Sequence, residues 1–175
     1  MERKITRIEI FDFDGTLIDT PLPDDGKLQW ILKTGLEWPH KGWWGKRESL
    51  RLDVFDMPVI QEVIDAYDKV KDDDSVLKVM MTGRMQGLSR EVEMILEENN
   101  LVFDEYHYNT GGDTFTCKTR TTEDLVKRYI GVTHVQMYDD RVLHIEGFKK
   151  LGEKLISEGL KSFNITLVPI KKDTI

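Results

Sequence analysis

The sequence predicts an α/β fold, a parallel five-stranded sheet flanked by helices. Three observations carry this. Short apolar runs at 5–10, 76–81, 102–108, 134–138 and 163–168 read as strands. Segments of helical periodicity separate most of them, which is the pattern of βαβ units. The acidic and glycine-bearing stretches follow the C-terminal ends of these runs, where ligands sit in such sheets.

The first run, 5–10, alternates apolar and polar residues apart from Arg7-Ile8. It leads into Phe11-Asp12-Phe13-Asp14-Gly15-Thr16-Leu17. Asp12 and Asp14 stand two apart at the strand's end, and Gly15 permits a sharp turn. Phe11 and Phe13 give the acids an apolar frame. Two carboxylates there repel each other and lose hydration. A divalent cation within reach of both relieves that cost, and such oxygen ligands suit magnesium. The plainer alternative is a strand leaving the core into an acidic turn. A calcium loop is excluded: it needs glycine sixth and glutamate twelfth, whereas here the glycine is fourth and Pro23 is twelfth.

The stretch 19–58 differs in character, holding four of the five prolines and all four tryptophans. Pro21, Pro23 and Asp24-Asp25-Gly26 mark turns, and 27–32 reads as a short helical piece. The run from Trp38 to Gly45 excludes a regular helix. The stretch is expected to be an ordered flap inserted into a single domain spanning 1–175, too short for a large cap. Trp43 and Trp44 have two readings. They stack on a base, with Lys41, Lys46 and Arg47 near a backbone phosphate, or they anchor the flap onto the core.

Asp56 is the expected N-cap of the next helix, with Pro58 in its first turn and apolar residues at helical spacing to Val70. The second strand ends in Thr82-Gly83-Arg84. A hydroxyl at a strand end, then glycine and a helix start, can hold a phosphate oxygen, or simply cap the helix. Arg84 suits a phosphate contact or a surface ion pair. A helix at 88–98, a strand at 102–108 and a turn at 109–113 follow, then a helix at 122–130 with Lys118 ahead of it. The fourth strand ends in Asp139-Asp140-Arg141. Adjacent acids there point to opposite sides, so one can meet a metal directly and the other through water. Ile145, Phe148, Leu151, Leu155 and Ile156 form one face of a last helix, which Gly159 ends.

Net charge is −7, so bulk attraction to duplex DNA is excluded, while a local basic pocket for a nucleic-acid end is not. Cys117 is the single cysteine, so no internal disulfide forms. No signal segment or membrane span is legible, and a cytoplasmic, monomeric protein is expected.

Asp12-Phe13-Asp14-Gly15-Thr16, Thr82-Gly83-Arg84, Lys118 and Asp139-Asp140 occur in the order of the four motifs of the haloacid dehalogenase-like (HAD) phosphohydrolases, which this sequence resembles. The resemblance implies a Rossmann-like sheet ordered 5-4-1-2-3. It makes Asp12 the nucleophile and Asp14 the general acid/base, and gives Thr82 and Lys118, with Arg120 as the substitute, to the phosphate. Asp12, the Asp14 carbonyl, Asp139 and Asp140 hold Mg2+, with Asp140 as the inner ligand. Ile18-Asp19-Thr20-Pro21-Leu22-Pro23, Gly42-Trp43-Trp44, Phe103-Asp104 and 138–148 further resemble the Swiss Army Knife RNA repair-like branch. The Asp-Asp-Arg ending also resembles the 3′-phosphatase domain of phage polynucleotide kinases. One departure is Tyr138-Asp139 where the branch commonly has Tyr-Glu. The implied activity is a Mg2+-dependent phosphatase working through an aspartyl-phosphate on an RNA or DNA end or a nucleotide. Gly83, Arg84, Arg141, Trp43 and Trp44 then face the substrate. The alternatives are a small-metabolite phosphatase and a catalytically silent binding module.

Overall fold

The computed structural model describes residues 2–169; Met1 and 170–175, the ends of the expected domain, lie outside them. Five parallel strands form one sheet: β1 (Arg7–Phe11), β2 (Val76–Met85), β3 (Glu105–Asn109), β4 (His134–Asp139) and β5 (Ser162–Leu167), in the order β3-β2-β1-β4-β5. This is the expected order. β1 lies at the centre, with Phe11 level with Met80 of β2 and Tyr138 of β4. The register therefore brings the ends of β1, β2 and β4 to one edge.

Two apolar clusters cover the sheet. Ile8, Ile10, Val79, Val135 and Met137 pack with Leu125, Phe148, Leu151 and Leu155 on one face. The helices there are α4 (Thr114–Arg128) and α5 (Val142–Ser157). On the other face Phe11 and Met80 pack with Val63 and Tyr67 of α2 (Gln61–Val70) and with Val92 and Ile95 of α3 (Ser89–Glu98). Phe13, Trp30, Trp43, Leu50, Phe55 and Met57 belong to this second cluster, so the insert is continuous with the core.

The insert is more regular than its composition suggests. α1 (Pro23–Thr34) starts with proline, carries Asp24 and Asp25 in its first turn, and ends at Gly35 with φ 74°. Asp24-Asp25-Gly26, expected as a turn, is thus the start of a helix. Gly26 is tolerated there because a Cβ would lie 2.1 Å from the Trp43 ring, which packs into that space. A 3-10 turn (Arg47–Leu50) follows.

β3 begins at Glu105, not 102, and three further differences from expectation bear on the site. The second helix begins at Gln61, with Ile60 as N-cap, not at Asp56. Segment 56–60 instead runs back beside β1's loop: Asp19 N–H donates to Pro58 O at 2.8 Å, and Val59 pairs with Ile18. β2 continues through Thr82-Gly83-Arg84 to Met85, across a register shift against β3 between Met81 and Met85. Thr82 is therefore a strand residue and caps no helix. α4 begins at Thr114, eight residues before the expected Thr122, because Asp113 caps it through a 2.9 Å hydrogen bond from Thr116 N–H. Lys118 accordingly sits inside the helix. Among the described residues no helix is long and apolar enough to cross a membrane.

Candidate active site

The chain turns tightly after β1. Gly15 adopts φ 69°, its N–H donates to Ile18 O at 2.8 Å, and Ile18 N–H donates to Phe13 O at 3.1 Å. This turn sets Asp12 on the floor and Asp14 on the rim of a cavity of about 230 Å³. Gly83, Thr114, Lys118, Asp140 and Arg141 are among its other walls.

Lys118 reaches in from α4. Its ammonium donates to Asp12 Oδ1 at 2.9 Å and to Asp139 Oδ2 at 2.7 Å, all three groups being buried. Arg141 N–H donates to the other Asp139 oxygen at 2.9 Å. Burial alone would lower the Lys118 ammonium, but the charges of Asp12 and Asp139 outweigh it and hold it above its ordinary value.

Asp12, Asp139 and Asp140 each present a carboxylate oxygen within 4.8 Å of the others. Three carboxylates thus face one ammonium, so negative charge is left over. Burial pushes the Asp12 carboxyl well above its ordinary value; Lys118 opposes this, and Asp139 and Asp140 add to it. Burial raises Asp140 as well. A small, all-oxygen, over-acidic cluster of this kind fits a hard divalent cation. Asp139 is engaged by Lys118 and by Arg141 N–H, whereas Asp140 lines the cavity.

Asp14 is held differently. Arg84 donates to it twice, Nε to Oδ2 at 2.9 Å and Nη2 to Oδ1 at 2.7 Å. Thr20 Oγ1 donates to Oδ1 at 2.7 Å. Arg84 Nη1 donates to Trp44 O at 2.8 Å and to Ser49 Oγ at 2.7 Å, and its guanidinium lies 5.1 Å from the Trp44 ring centre. The Arg84 side chain is almost wholly buried. Arg84, expected to face the substrate, does line the cavity; its hydrogen bonds go to Asp14 and the insert.

The remaining expected residues divide. Gly83 and Arg141 line the cavity, Gly83 so close to Thr114 that a Cβ would meet Thr114 Cγ2 at 2.7 Å. Thr82 is buried, its hydroxyl accepting from Arg84 N–H at 3.1 Å. Trp44 lines the cavity, whereas Trp43 is buried against Trp38 and Phe55, with its indole N–H donating to Pro21 O. Trp43 is therefore an anchor and offers no face for stacking. The sequence reading missed Ser49, Thr114 and Thr20. Thr114 had a usable signal, since it follows the N-cap Asp113; the buried role of Ser49 had none.

A second cleft of about 430 Å³ opens from Asp14, Leu22, Trp44 and Asp140. Asp19, Asp25, Asp56 and Glu62 line it, and no lysine or arginine does among the described residues.

The profile of the HAD domain family 1 in Swiss Army Knife RNA repair proteins matches residues 25–174. The uncharacterized protein YMR265C of Saccharomyces cerevisiae is 23% identical over 98% of this chain, which spans 42% of that relative's length. Among solved structures, the HAD domain of effector protein Lem4 from Legionella pneumophila is similar, with a TM-score of 0.57, 12% identity, and coverage of 99% of this chain and 91% of that one. A haloacid dehalogenase-like hydrolase family protein from Streptococcus pneumoniae gives a TM-score of 0.53, 13% identity, and coverage of 93% and 94%. At such identities the two structures speak for the fold alone.

Proposed function

Because this chain belongs to HAD domain family 1 of the Swiss Army Knife RNA repair proteins, we propose that it is a magnesium-dependent phosphomonoesterase working through an aspartyl-phosphate. The observation that carries this is the meeting of Asp12, Asp139 and Asp140 beside Lys118, with Asp12, Asp140 and Lys118 lining one small cavity. Asp12, Asp139 and Asp140, with the Asp14 carbonyl, would hold Mg2+. When bound, the ion screens the repulsion between carboxylate and phosphate and polarises the phosphoryl oxygens.

The chain's own residues divide the remaining work. An Asp12 oxygen attacks phosphorus in line, forming the acyl phosphate while the bond to the leaving oxygen breaks. Lys118 neutralises charge on Asp12 and on the equatorial oxygens, with Gly83 and Thr114 lining the same cavity beside it. Asp14 delivers a proton to the leaving oxygen. It then takes one from the water that hydrolyses the acyl phosphate, releasing inorganic phosphate and restoring Asp12.

The family supports a phosphate on an RNA or DNA end, or on a nucleotide, as substrate. One observation favours a second reading. Among the described residues the cleft beside Asp14 carries the carboxylates of Asp25, Asp56 and Glu62, which disfavour a polyanion there. This favours a single nucleoside or another small leaving group. The test is hydrolysis of p-nitrophenyl phosphate with Mg2+ and with chelator, followed by a panel of 3′-phosphorylated oligonucleotides, nucleoside monophosphates and sugar phosphates. Mg2+-dependent release of phosphate that Asp12→Asn abolishes supports the reading. No hydrolysis of any ester with Mg2+ returns the protein to a silent binding module.

A further inference from the structure

The contacts of Asp14 leave it one working position. A carboxylate offers about four lone-pair sites. Oδ1 accepts from Thr20 Oγ1 and from Arg84 Nη2, both at 2.7 Å, which fills its two. Oδ2 accepts from Arg84 Nε at 2.9 Å, which fills one of its two. Among the described residues nothing else donates to either oxygen. The side chain that does this filling is itself fixed. Arg84 is buried beneath Trp44, and its remaining hydrogen bonds go to Trp44 O and Ser49 Oγ of the insert. The planar guanidinium can satisfy both sides at once, which an ammonium cannot.

We infer that Arg84, held by Ser49 and Trp44, is a positioning residue that fixes the orientation of the Asp14 carboxyl and leaves one lone-pair site, on Oδ2, open. This rests on the reading of Asp14 as the general acid/base. It assigns a task to the insert as well. The segment 44–49 acts as a fixed backing for the acid through Arg84, which lines the cavity with four of its five N–H donors already committed to Asp14, Trp44 O and Ser49.

The consequence is selective for the leaving group. An alkoxide must be protonated as it departs, whereas p-nitrophenolate leaves without help. General acid catalysis contributes about 10²–10⁴-fold where it is needed, and misplacing a catalytic group by about 1 Å costs on the order of 10²-fold. The readout is kcat/KM, which covers steps only as far as formation of the acyl phosphate. It therefore excludes the later water step, which needs Asp14 for every substrate.

The experiment measures kcat/KM for p-nitrophenyl phosphate and for an alkyl phosphate, and inhibition by inorganic phosphate. The proteins are wild type, Arg84→Lys and Ser49→Ala. Arg84→Lys should lose about 10²-fold on the alkyl ester and less than about threefold on the aryl ester, with phosphate inhibition unchanged. Ser49→Ala should shift the same ratio in the same direction by less, and it decides the matter if Arg84→Lys does not fold. Equal losses on both esters, or weakened phosphate inhibition in a folded variant, would overturn the positioning role in favour of a structural or phosphate-binding one. A wild-type protein that cleaves neither ester with Mg2+ would remove the phosphatase reading itself, and the role of Arg84 with it.

Discussion

Gly15 and Asp140 touch across most of the length of the chain: a Cβ on Gly15 would lie 2.2 Å from Asp140 Oδ2. The contact belongs to the turn that aims Asp12, since Gly15 also adopts φ 69° there. Gly15→Ala therefore meets two obstacles. The left-handed backbone costs about 1–2 kcal/mol for an L-residue, and the new methyl must push Asp140 out of the acidic cluster. The variant should fold with a lowered denaturation midpoint and should lose Mg2+-dependent phosphatase activity almost wholly. Gly87→Ala, whose Cβ would meet nothing within 4 Å, is the control. Equal activity in the two variants would show that Asp140 need not stay in place.

Among the described residues Lys118 alone pairs with both Asp12 and Asp139, and all three side chains are less than a tenth exposed. Removing one partner of a buried ion pair leaves an uncompensated charge, at a cost of about 3–5 kcal/mol. Lys118→Met should lower unfolding free energy by that order in chelator. Mg2+ should restore more stability to this variant than to the wild type, because a cation would then relieve both carboxylates. Urea unfolding with and without Mg2+ checks this, and a variant that Mg2+ stabilises no more than wild type would contradict it.

The acids were legible in the sequence because each stands at a recognisable strand end, and those ends share one edge of a parallel sheet; Lys118, inside α4, was legible only through the family resemblance. The central place of β1 came from the family resemblance and not from the pattern of the residues. What was not legible depends on partners distant along the chain. Arg84 follows the threonine and glycine of its motif, but its guanidinium turns to Asp14 and to Ser49, a residue with no chemical signature of its own. The early start of α4 was hidden by its threonines, poor helix formers that Asp113 capping overrides. Thr82 looked like a helix cap because β2 gives no sign, residue by residue, that it continues to Met85.

Glu9 offers a test by pH away from the acidic cluster. It is 3% exposed on β1, level with Lys78 and Gln136; Oε1 accepts from Arg7 Nε at 3.3 Å, and Oε2 has no hydrogen-bond partner among the described residues. Burial raises its carboxyl above the ordinary 4.5, with Arg7 opposing. A folded-state value above the unfolded one means that folding favours the proton. The stabilising contribution is then full below the unfolded value and is lost as pH rises through the folded one. Glu9→Gln should therefore raise Tm near pH 7 and leave it nearly unchanged near pH 4. Each kcal/mol gained is worth about 2–4 °C at this chain length. Thermal unfolding at the two pH values decides it, and a lower Tm for the variant at pH 7 would refute the sign.

Trp43 and Trp44 are adjacent in sequence and should respond in opposite ways. Trp43 is 4% exposed, fills the space above Gly26, and packs against Trp38 and Phe55. Trp43→Ala should cost about 3–5 kcal/mol of stability, as large-to-small core changes do. Trp44 lies over Arg84 and lines both the small cavity and the acidic cleft. Its backbone oxygen, which holds Arg84, survives replacement of the side chain. Trp44→Ala should therefore lose the cation–π contact, about 0.5–2 kcal/mol, and the partial packing of its ring against the core, while keeping the bond that holds Arg84. It should raise KM for esters with a large leaving group and leave kcat on p-nitrophenyl phosphate within about twofold, as loss of uniform binding does. Unfolding curves and steady-state kinetics on the same preparations separate the two roles. A Trp44→Ala protein with unchanged KM across leaving groups of different size would exclude its ring from substrate recognition.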